Sequence, residues 1–412
     1  MTRVVVVGSG GREHALADVL SRSASEVIVT PGNPGIPGSV ATPATELDAD
    51  LFVIGPEVPL VDGLADELRA QGKLVFGPGA DGARLEGSKA WMKELFVAAG
   101  VPTADHGSFT QLDQALEFLA TMSAPFVIKT DGLAAGKGVV VTNDRAEAEA
   151  AVRSYLSGDA FGDAGATVVI EEGMTGPEVS VFAVCDGTKA VLLAPAQDHK
   201  RIYNNDKGPN TGGMGAYTPL DWAPPDLLDI VMRDAIEPTI AELIRRGIDF
   251  RGVLYAGLML TPTGPKMLEY NVRFGDPETQ VVLPRIESDL VQLLTEAAQG
   301  NITSTPTFSD DALVIVVCAS EGYPQSPRTG DIIHGIDDAR AIDGVSVYAA
   351  GVKADHAGEL LTGGGRVLNV VGRGADVAEA IDKAYEGVAK ISWPGMHVRT
   401  DIARQANKKK ED

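Results

Sequence analysis

The sequence predicts a protein of several α/β and α+β domains, on the evidence of two patterns and of its length. From residue 3 to about 100, β-branched runs such as RVVVV, EVIVT, LFVIG and KLVFG alternate with helical patterns. This alternation is typical of parallel strands joined by crossover helices. The last hundred residues are rich in strands instead, including LVIVVCAS and RVLNVVGRG. A chain of 412 residues has room for about three domains of the usual size.

Breaks in these patterns divide the chain into four segments. Pro102, in VPTADHG, ends a predicted helix and marks the first boundary. The predicted segments are an N-terminal α/β domain at 1–103, a small α+β unit with a hairpin at 104–186 (core 125–185), a central domain at 187–308 and a strand-rich C-terminal domain at 309–412. The charged end, RQANKKKED, is expected to be a solubilising terminus.

Composition and charge exclude several classes of protein. The chain has 35 basic and 57 acidic residues and a net charge of −22, which opposes binding to nucleic acid or anionic lipid. Cys185 and Cys318 lie in apolar runs without CxxC or Cys/His spacing, so reduced core thiols are expected rather than zinc ligands. The N-terminus enters VVVV without a basic region or a cleavage-site pattern, so no signal peptide is expected, and no apolar run approaches the roughly 18 residues that span a bilayer. A cytoplasmic location is therefore expected.

The first glycine-rich motif, VVVVGSGGREHA, invites a dinucleotide-binding interpretation. That fingerprint requires a third glycine, where this sequence has Glu13. It also requires an acidic residue after the second strand, where Thr30 and Pro31 stand. Both departures disfavour an NAD-dependent oxidoreductase.

Two interpretations of this first motif remain. A helix that begins after Gly10 and Gly11 would present free N–H groups next to Arg12, which suits an anion such as phosphate. Alternatively, the glycines only permit a tight turn between strand and helix. His14 is expected to be a packed or capping residue.

The second motif, FVIKTDGLAAGKGVVV, resembles a Walker A loop only superficially. Gly132 and Gly136 enclose three residues instead of four, and Lys137 is followed by Gly138 instead of Ser or Thr. Strand patterns on both sides predict a hairpin. Its lysines, Lys129 at the base and Lys137 near the tip, would suit a loop that closes over a triphosphate. The alternative is a mobile turn with solvated lysines.

The third motif, KMLEYNVRFGDPETQ, carries an unusual density of charge after an apolar strand pattern. If 267–273 is a strand, Glu269, Asn271 and Arg273 share one face. Oxygen ligands two residues apart, followed by a guanidinium, can hold Mg²⁺ and the phosphoryl group that the metal bridges. The alternative is a polar ladder on a half-exposed strand. The following FGDPE predicts a helix with Pro277 at its first position.

Together these motifs identify a known family. NVRFGDPETQ, GSGGREHAL, GPEVPLVDG, LEGSKAWMK, IKTDGLAAGKGV and QDHK followed by GPNTGGMGAY closely resemble the phosphoribosylamine–glycine ligase family of the ATP-grasp superfamily. The resemblance spans almost the whole chain. It implies an ATP-grasp fold with an N-terminal Rossmann-like pre-ATP-grasp domain, a small hinged lid domain and a C-terminal strand-rich domain.

The resemblance also implies a reaction, the second step of de novo purine (IMP) biosynthesis. ATP would phosphorylate glycine to glycyl phosphate, and the nitrogen of 5-phosphoribosylamine would displace phosphate to give glycinamide ribonucleotide. The implied partners are these small molecules, with no nucleic acid or membrane, and a monomer is the working expectation. Phosphoryl transfer of this kind depends mainly on positioning and charge neutralisation.

Roles follow from the motif matches. The residues expected at ATP are Lys89, Lys129, Gly132, Gly136, Lys137, Gly138, Glu171, Glu172 and Glu178. Those expected at the sugar phosphate and glycine are Gly10, Gly11, Arg12, Glu13, Asn33, Glu57, Asp198, Lys200, Asn210, Gly212, Gly213, Gly215 and Arg273. Catalytic roles are expected for Arg273, Lys129, Lys137 and Asp276. Glu269 and Asn271 are expected to hold Mg²⁺ or Mn²⁺.

One departure from the superfamily and two rival functions stay open. In many relatives the strand before the Glu-x-Asn pair carries an acidic metal ligand, whereas GVLYAGLMLT has none, so the second ligand is unassigned. One rival is another ATP-grasp ligase of purine synthesis that uses a different carboxylate, which RFGDPE disfavours. The other is a nucleotide-binding regulatory protein without turnover, in which Lys129, Glu269, Asn271 and Arg273 together would be unexpected.

Overall fold

A computed structural model describes residues 2–133, 138–157, 166–404 and 406 of the chain. The predicted loop residues Gly136 and Lys137, and most of the charged end, lie outside this part of the chain. Within it, no helix has the length and apolar character needed to cross a membrane.

The N-terminal segment is an α/β layer built on a parallel sheet of order β2-β1-β3-β4. Its strands are β1 (Arg3–Gly8), β2 (Glu26–Pro31), β3 (Leu51–Ile54) and β4 (Val75–Phe76). Its helices are α1 (Gly11–Leu20), α2 (Glu57–Val61), α3 (Leu64–Ala70), α4 (Ala80–Gly87) and α5 (Lys89–Ala99), and a 3₁₀ turn covers Ala44–Glu46. Apart from the exposed Arg3, strands β1 and β3 are apolar and buried, as expected of strands whose two faces are both covered. The predicted parallel arrangement is confirmed.

The small unit has an antiparallel sheet of order β5-β8-β6-β7 and its own hydrophobic core. Its strands are β5 (His106–Phe109), β6 (Phe126–Thr130), β7 (Val139–Thr142) and β8 (Val168–Glu172). Helices α6 (Leu112–Thr121) and α7 (Arg145–Leu156) pack on it. Strands β6 and β7 pair antiparallel, with Lys129 opposite Val139, so the predicted hairpin is present.

The central sheet has the order β10-β9-β15-β16 and places the third motif at its edge. Its strands are β9 (Glu178–Asp186), β10 (Ala190–Leu192), β15 (Arg251–Thr261) and β16 (Gly264–Asn271). The helices of this segment are α8 (Leu227–Val231), α9 (Glu237–Arg245), α10 (Thr279–Val282) and α11 (Leu290–Gln299), with a π-helical turn at Met232–Ile236 and a 3₁₀ turn at Leu283–Arg285.

Strand β9 differs from the sequence-based division, which places residues 178–186 in the small unit. It pairs instead with β15 of the central sheet, with Ala183 opposite Leu254. The reason is its apolarity on both faces, since Val179 to Cys185 are nearly all inaccessible to solvent. A sheet that is covered on both sides can bury such a strand. The domain boundaries themselves stay a prediction.

The C-terminal sheet has the order β11-β14-β17-β21-β18. Its strands are β11 (Gln197–Asp198), β14 (Gly215–Thr218), β17 (Ala312–Ala319), β18 (Val345–Ala349) and β21 (Arg366–Gly374). Two ribbons pair β12 (Arg201–Tyr203) with β13 (Lys207–Asn210), and β19 (Val352–Ala354) with β20 (Leu360–Thr362); the helices are α12 (Ile336–Arg340) and α13 (Val377–Val388). Because β11 and β14 join this sheet, the QDHK and GGMGAY segments are attached to the C-terminal strands.

Candidate active site

Arg273 lies just after β16, in a cluster of acceptors from separate elements. Its Nη2 donates to Oδ1 of Asn271 at 3.1 Å and to Oε1 of Glu86 at 2.9 Å. Its Nε lies 3.3 Å from Oε2 of Glu57. Burial alone would lower the pKa of Arg273, but Glu86 and Glu57 raise it above its usual value. The structure thus joins Arg273 to Asn271, as strand alternation predicts, and adds Glu86, for which no sequence pattern predicts a role.

Lys129 at the end of β6 is held by a buried carboxylate. Its Nζ lies 2.8 Å from Oε1 of Glu171 on β8. The other oxygen of Glu171 lies 3.0 Å from Nζ of Lys93 on α5. Burial opposes ionisation of Glu171, but Lys129 and Lys93 together lower its pKa below the usual value. The side chain of Glu171, which the resemblance implies near adenine, therefore serves in this structure to bind two ammonium groups.

Lys89 connects the start of α5 to the glycine-rich loop. Its Nζ donates to the carbonyl oxygen of Gly132 at 2.9 Å. Next to it, the carboxylate of Asp131 accepts from Ala90 N at 2.9 Å and from the hydroxyl of Ser88, the N-cap residue of α5. Burial lowers the pKa of Lys89, and Glu269 opposes that shift. The base of the loop is thereby fixed beside the third motif. Gly138 is buried at the start of β7.

Glu269 is the carboxylate on which the cations of the site converge. Burial would raise its pKa, but Lys200, Lys129, Lys89 and Arg273 act together to lower it. The ionised carboxylate and the amide oxygen of Asn271 are the hard oxygen donors that Mg²⁺ prefers. Among the described residues, no group of three or more His, Cys, Asp or Glu side chains could hold a metal ion by itself. Two protein oxygens fit a metal that takes its remaining ligands from water and phosphates.

A second ion pair of the site joins Lys200 to Glu178. Nζ of Lys200 is 2.5 Å from Oε2 of Glu178, which the resemblance implies at ribose. Asp198, two residues before Lys200, is partly buried, and its desolvation raises its pKa to about 7 although Lys200 opposes the shift. Glu278, one of the carboxylates that adds to this shift, accepts from the hydroxyl of Tyr255 at 2.5 Å. The site thus contains a carboxyl group whose pKa is raised toward neutrality by desolvation and by neighbouring carboxylates.

The side chain of Glu13 packs against the N-terminal glycine loop and accepts a hydrogen bond from it. The Glu13 carboxylate accepts from Gly10 N at 2.6 Å and from Nε of Arg12 at 2.5 Å. It fills the space above Gly8, where a Cβ would lie 2.5 Å from Cδ of Glu13. Nη1 of Arg12 donates to the carbonyl oxygen of Phe274 at 3.2 Å. The residue that breaks the dinucleotide fingerprint therefore shapes the loop, and Arg12 joins the loop to the third motif.

Asp276 links the third motif to the C-terminal sheet. Its Oδ1 accepts from Nε2 of Gln280 at 2.8 Å, and its Oδ2 lies 3.1 Å from Nη2 of Arg366. Nη1 of Arg366 also donates to the carbonyl oxygen of Gly212 at 2.6 Å. Gly213 has φ +108°, and a Cβ there would lie 2.4 Å from Cδ of Pro277. The NTGGMG loop is therefore held against the segment formed by Gly275, Asp276 and Pro277.

The predicted helix start at Pro277 is wrong. Residues 276–278 form a turn and α10 begins at Thr279, with Glu278 as its N-cap residue. The carbonyl oxygen of Asp276 is taken by Arg366 at 2.8 Å, and Pro277 packs against Gly213. These contacts hold the segment as a turn.

Other expected residues have structural partners. Nδ2 of Asn33 donates to the carbonyl oxygens of Ser9 and Ala350 at 2.8 and 2.9 Å. Glu172 lies 3.2 Å from Lys266, and Asn210 lies opposite Arg201 in the β12–β13 ribbon. Gly11 begins α1 with its Cα against the side chain of Asn369, and Gly215 begins β14.

Three residues outside the site, His14, Cys185 and Cys318, are buried in the fold. His14 is packed, as predicted, with Nδ1 accepting from Ala349 N at 2.8 Å. Cys185 and Cys318 are both buried free thiols.

Three family models match consecutive parts of the chain. They describe the N domain of phosphoribosylglycinamide synthetase (residues 2–86), its ATP-grasp (A) domain (87–279) and its C domain (313–405). The chain belongs to the phosphoribosylglycinamide synthetase family. Relatives named phosphoribosylamine–glycine ligase support this membership. One from Caulobacter vibrioides is 49% identical over 98% of both chains, and one from Streptomyces coelicolor is 48% identical over 98% of this chain and 99% of its own.

Solved structures give the same result for this synthetase family. The crystal structure of phosphoribosylamine–glycine ligase from Thermotoga maritima has a TM-score of 0.87 and 34% identity, over 97% of this chain and 100% of that chain. The biotin carboxylase domain of a 2-oxoglutarate carboxylase from Hydrogenobacter thermophilus has a TM-score of 0.73 at 15% identity, over 96% and 91% of the two chains, which shows the fold alone. The predicted ATP-grasp architecture, with its parallel N-terminal sheet and strand-rich C-terminal domain, is confirmed. The NAD-dependent interpretation is not supported.

Proposed function

We propose that this chain ligates 5-phosphoribosylamine to glycine at the expense of ATP, through glycyl phosphate, and releases glycinamide ribonucleotide, ADP and phosphate. The observation that supports this most directly is that Lys89, Lys129, Lys200 and Arg273 all act on the partly buried carboxylate of Glu269 and together lower its pKa. In a protein of net charge −22, such a concentration of cations is suited to the phosphates of ATP. Family membership identifies the acceptor substrates.

The triphosphate lies at the junction of the small and central sheets. Lys129 and Lys89 bind its phosphate oxygens, together with the described loop residues Gly132 and Gly138. The same loop contains the proposed contacts Gly136 and Lys137, which lie outside the described residues. The strand end at Glu171 and Glu172 borders the adenine, and Glu178 borders the ribose.

Glu269 and Asn271 hold a divalent cation, Mg²⁺ or Mn²⁺. When bound, this cation neutralises charge on the phosphates and polarises the phosphoryl group. The two side chains fit it because they combine an ionised carboxylate with an amide oxygen at one edge of β16. Their own contribution is to orient the triphosphate relative to Arg273.

The chain's residues position two displacements. A glycine carboxylate oxygen forms a bond to the γ-phosphorus as the bond to ADP breaks, and Arg273 stabilises the phosphoryl oxygens. The amine nitrogen then bonds to the carbonyl carbon, and the bond from that carbon to the phosphate oxygen breaks. Asp198, which the resemblance implies at these substrates and whose pKa is raised to about 7, accepts the proton that the amine loses. Asp276, held by Arg366 and Gln280, and the 10–13 loop bind the sugar phosphate and glycine.

The proposal is tested by ADP release in the presence of ATP and Mg²⁺. Glycine and freshly prepared phosphoribosylamine are added singly and together, and the product is identified by mass. We expect ADP only with both substrates, together with a product of the mass of glycinamide ribonucleotide. Turnover with a different carboxylate, and not with glycine, would identify the rival ATP-grasp ligase. ATP binding without turnover on any carboxylate would identify the regulatory protein.

A further inference from the structure

Lys93 is a buried lysine that the proposed reaction does not use. It lies on α5 with 1% of its surface exposed. Its Nζ is 3.0 Å from Oε2 of Glu171 and donates to Oγ1 of Thr103 at 2.8 Å. The hydroxyl of Thr103 in turn donates to the carbonyl oxygen of Met267 at 2.7 Å. A lysine is rarely buried to this extent unless it is paired, so its position requires a reason.

The partner of Lys93 also fixes Lys129. Glu171 is 2% exposed and lies between the two ammonium groups, with Lys129 at 2.8 Å from its other oxygen. The two lysines and one carboxylate carry a net positive charge in a region nearly closed to water. Burial lowers the pKa of Lys93 to about 8, and Glu171 opposes the shift. An excess buried cation is stabilised by an anion nearby, and the proposed triphosphate is such an anion.

Lys93 also joins three parts of the fold. It belongs to α5, its carboxylate partner to β8 of the small sheet, and its Thr103 contact leads to Met267 on β16 of the central sheet. The small sheet has a hydrophobic core separate from that of the rest of the chain. Its orientation toward the central sheet therefore depends on contacts of this kind.

We infer that Lys93 is a positioning residue for ATP, which holds Glu171 so that the Lys129 ammonium is presented to the triphosphate at the junction of the two sheets. The inference rests on the proposed function, since it takes Lys129 as a phosphate contact. Lys93 touches no substrate. It acts through the second oxygen of Glu171, which would otherwise turn toward Lys129 or lack a donor.

The direct test is Lys93→Met, which keeps the length of the side chain and removes its charge. Binding of a non-hydrolysable ATP analogue with Mg²⁺ is measured by calorimetry, and steady-state kinetics are measured for ATP and for glycine. We expect the dissociation constant for the analogue to rise by about tenfold or more, as for the loss of a hydrogen bond to a charged group. The KM for glycine should stay within about twofold.

The matched control is Lys73→Met. Lys73 also binds only a few partners, the carbonyl oxygens of Thr45 and Ala44 at 2.7 and 3.4 Å, but it lies in the N-terminal layer. It should leave affinity for the analogue unchanged. If Lys93→Met folds and binds the analogue within about twofold of the parent, the inference is wrong. A general loss of structure would instead change the KM for glycine as well.

A double-mutant cycle tests whether Lys93 acts through Glu171. Glu171→Gln alone should lower affinity for the ATP analogue. Adding Lys93→Met to it should lower that affinity little further, because the contact through which Lys93 acts is already lost. Fully additive losses would overturn the inference. If Lys93→Met does not fold, Thr103→Val replaces it in the cycle, with an expected loss of about threefold in analogue affinity. An unchanged affinity in that variant would overturn the inference.

Lys129→Met separates this inference from the proposed function. If Lys129→Met lowers affinity for the analogue and Lys93→Met does not, the proposed ATP site is supported and the positioning role of Lys93 is wrong. If Lys129→Met binds the analogue normally, the proposed phosphate contact itself fails. The parent chain must release ADP with both substrates in the same experiment, since its failure to do so would reject the ligase activity independently of either lysine.

Discussion

Replacing Arg273 with lysine keeps one positive charge and removes a planar donor. The guanidinium reaches Glu86 at 2.9 Å, Asn271 at 3.1 Å and Glu57 at 3.3 Å from two of its nitrogens. A single ammonium cannot hold all three in this geometry. The contact to Glu86 is the most costly to lose because the side chain of Glu86 is only 8% exposed. Each hydrogen bond to a charged group that is lost costs about 1.5–3 kcal/mol.

The effect on turnover follows from the same geometry. If Arg273 stabilises the phosphoryl oxygens, its replacement removes a donor that acts in the transition state, which lowers kcat by about 100-fold or more. ATP affinity should change by less than about threefold, because the proposed phosphate contacts are Lys89 and Lys129. Affinity is measured with a non-hydrolysable analogue and turnover by ADP release with both substrates. Thermal melting confirms that the variant is folded.

Arg245→Lys is the matched control for this experiment. Arg245 also binds a carboxylate, that of Glu242 at 2.6 Å, but its side chain is 68% exposed on α9. It should leave kcat and affinity unchanged. Near-normal turnover in Arg273→Lys would refute the catalytic role and leave Arg273 as a structural link between Glu57 and Glu86.

Three further predictions concern other parts of the fold. Arg366→Gln should raise the KM for glycine or phosphoribosylamine by about tenfold and leave affinity for the ATP analogue unchanged. The KM values are measured by varying each substrate. A change confined to ATP would contradict a role for Arg366 in holding the Gly212 loop. His14 and His199 have pKa values lowered to about 4 by burial, so the native state binds fewer protons than the unfolded one. Each should contribute up to about 3 kcal/mol to the free energy of unfolding above pH 6.5, and this contribution is lost as the pH falls toward 4. For His14, the prediction is contradicted if the parent and His14→Gln have equal denaturant midpoints across that range. Gly213→Ala should lower the free energy of unfolding by about 2 kcal/mol or more, given φ +108° and the contact with Pro277, and an unchanged midpoint would show that the loop can shift freely.

Local periodicity predicts the parts of this site that lie within one element. The face shared by Asn271 and Arg273 follows from the two-residue repeat of a strand. The hairpin at Lys129 follows from strand patterns on both sides of a glycine loop. In each case the partners are neighbours in the sequence, so the pattern contains the contact.

The contacts that sequence patterns did not predict join residues far apart in the chain. Glu86 is 187 residues from Arg273, Lys93 is 78 from Glu171, and Arg366 is 90 from Asp276. In the sequence, Lys93 is one lysine of a helical pattern, and nothing nearby shows that its side chain is buried. The predicted helix start at Pro277 is wrong for the same reason. Its preference for a helix start is local, whereas the contacts of this segment with Arg366 and Gly213 come from the C-terminal sheet and the glycine loop.

Three cations of the site are paired with carboxylates. Lys129 is bound to Glu171 and Lys200 to Glu178, while Arg273 lies between acidic side chains. Such pairs weaken the attraction for an anion, but they fix where each cation points, and orientation contributes more to phosphoryl transfer than affinity does. For the Lys200–Glu178 pair, removing the carboxylate should therefore have opposite effects on binding and catalysis, whereas Glu171 also orients a second lysine and its loss weakens binding. With Glu178→Gln, a freed Lys200 would attract the triphosphate more strongly in an unproductive geometry, so kcat would fall while affinity for ATP is retained or increased.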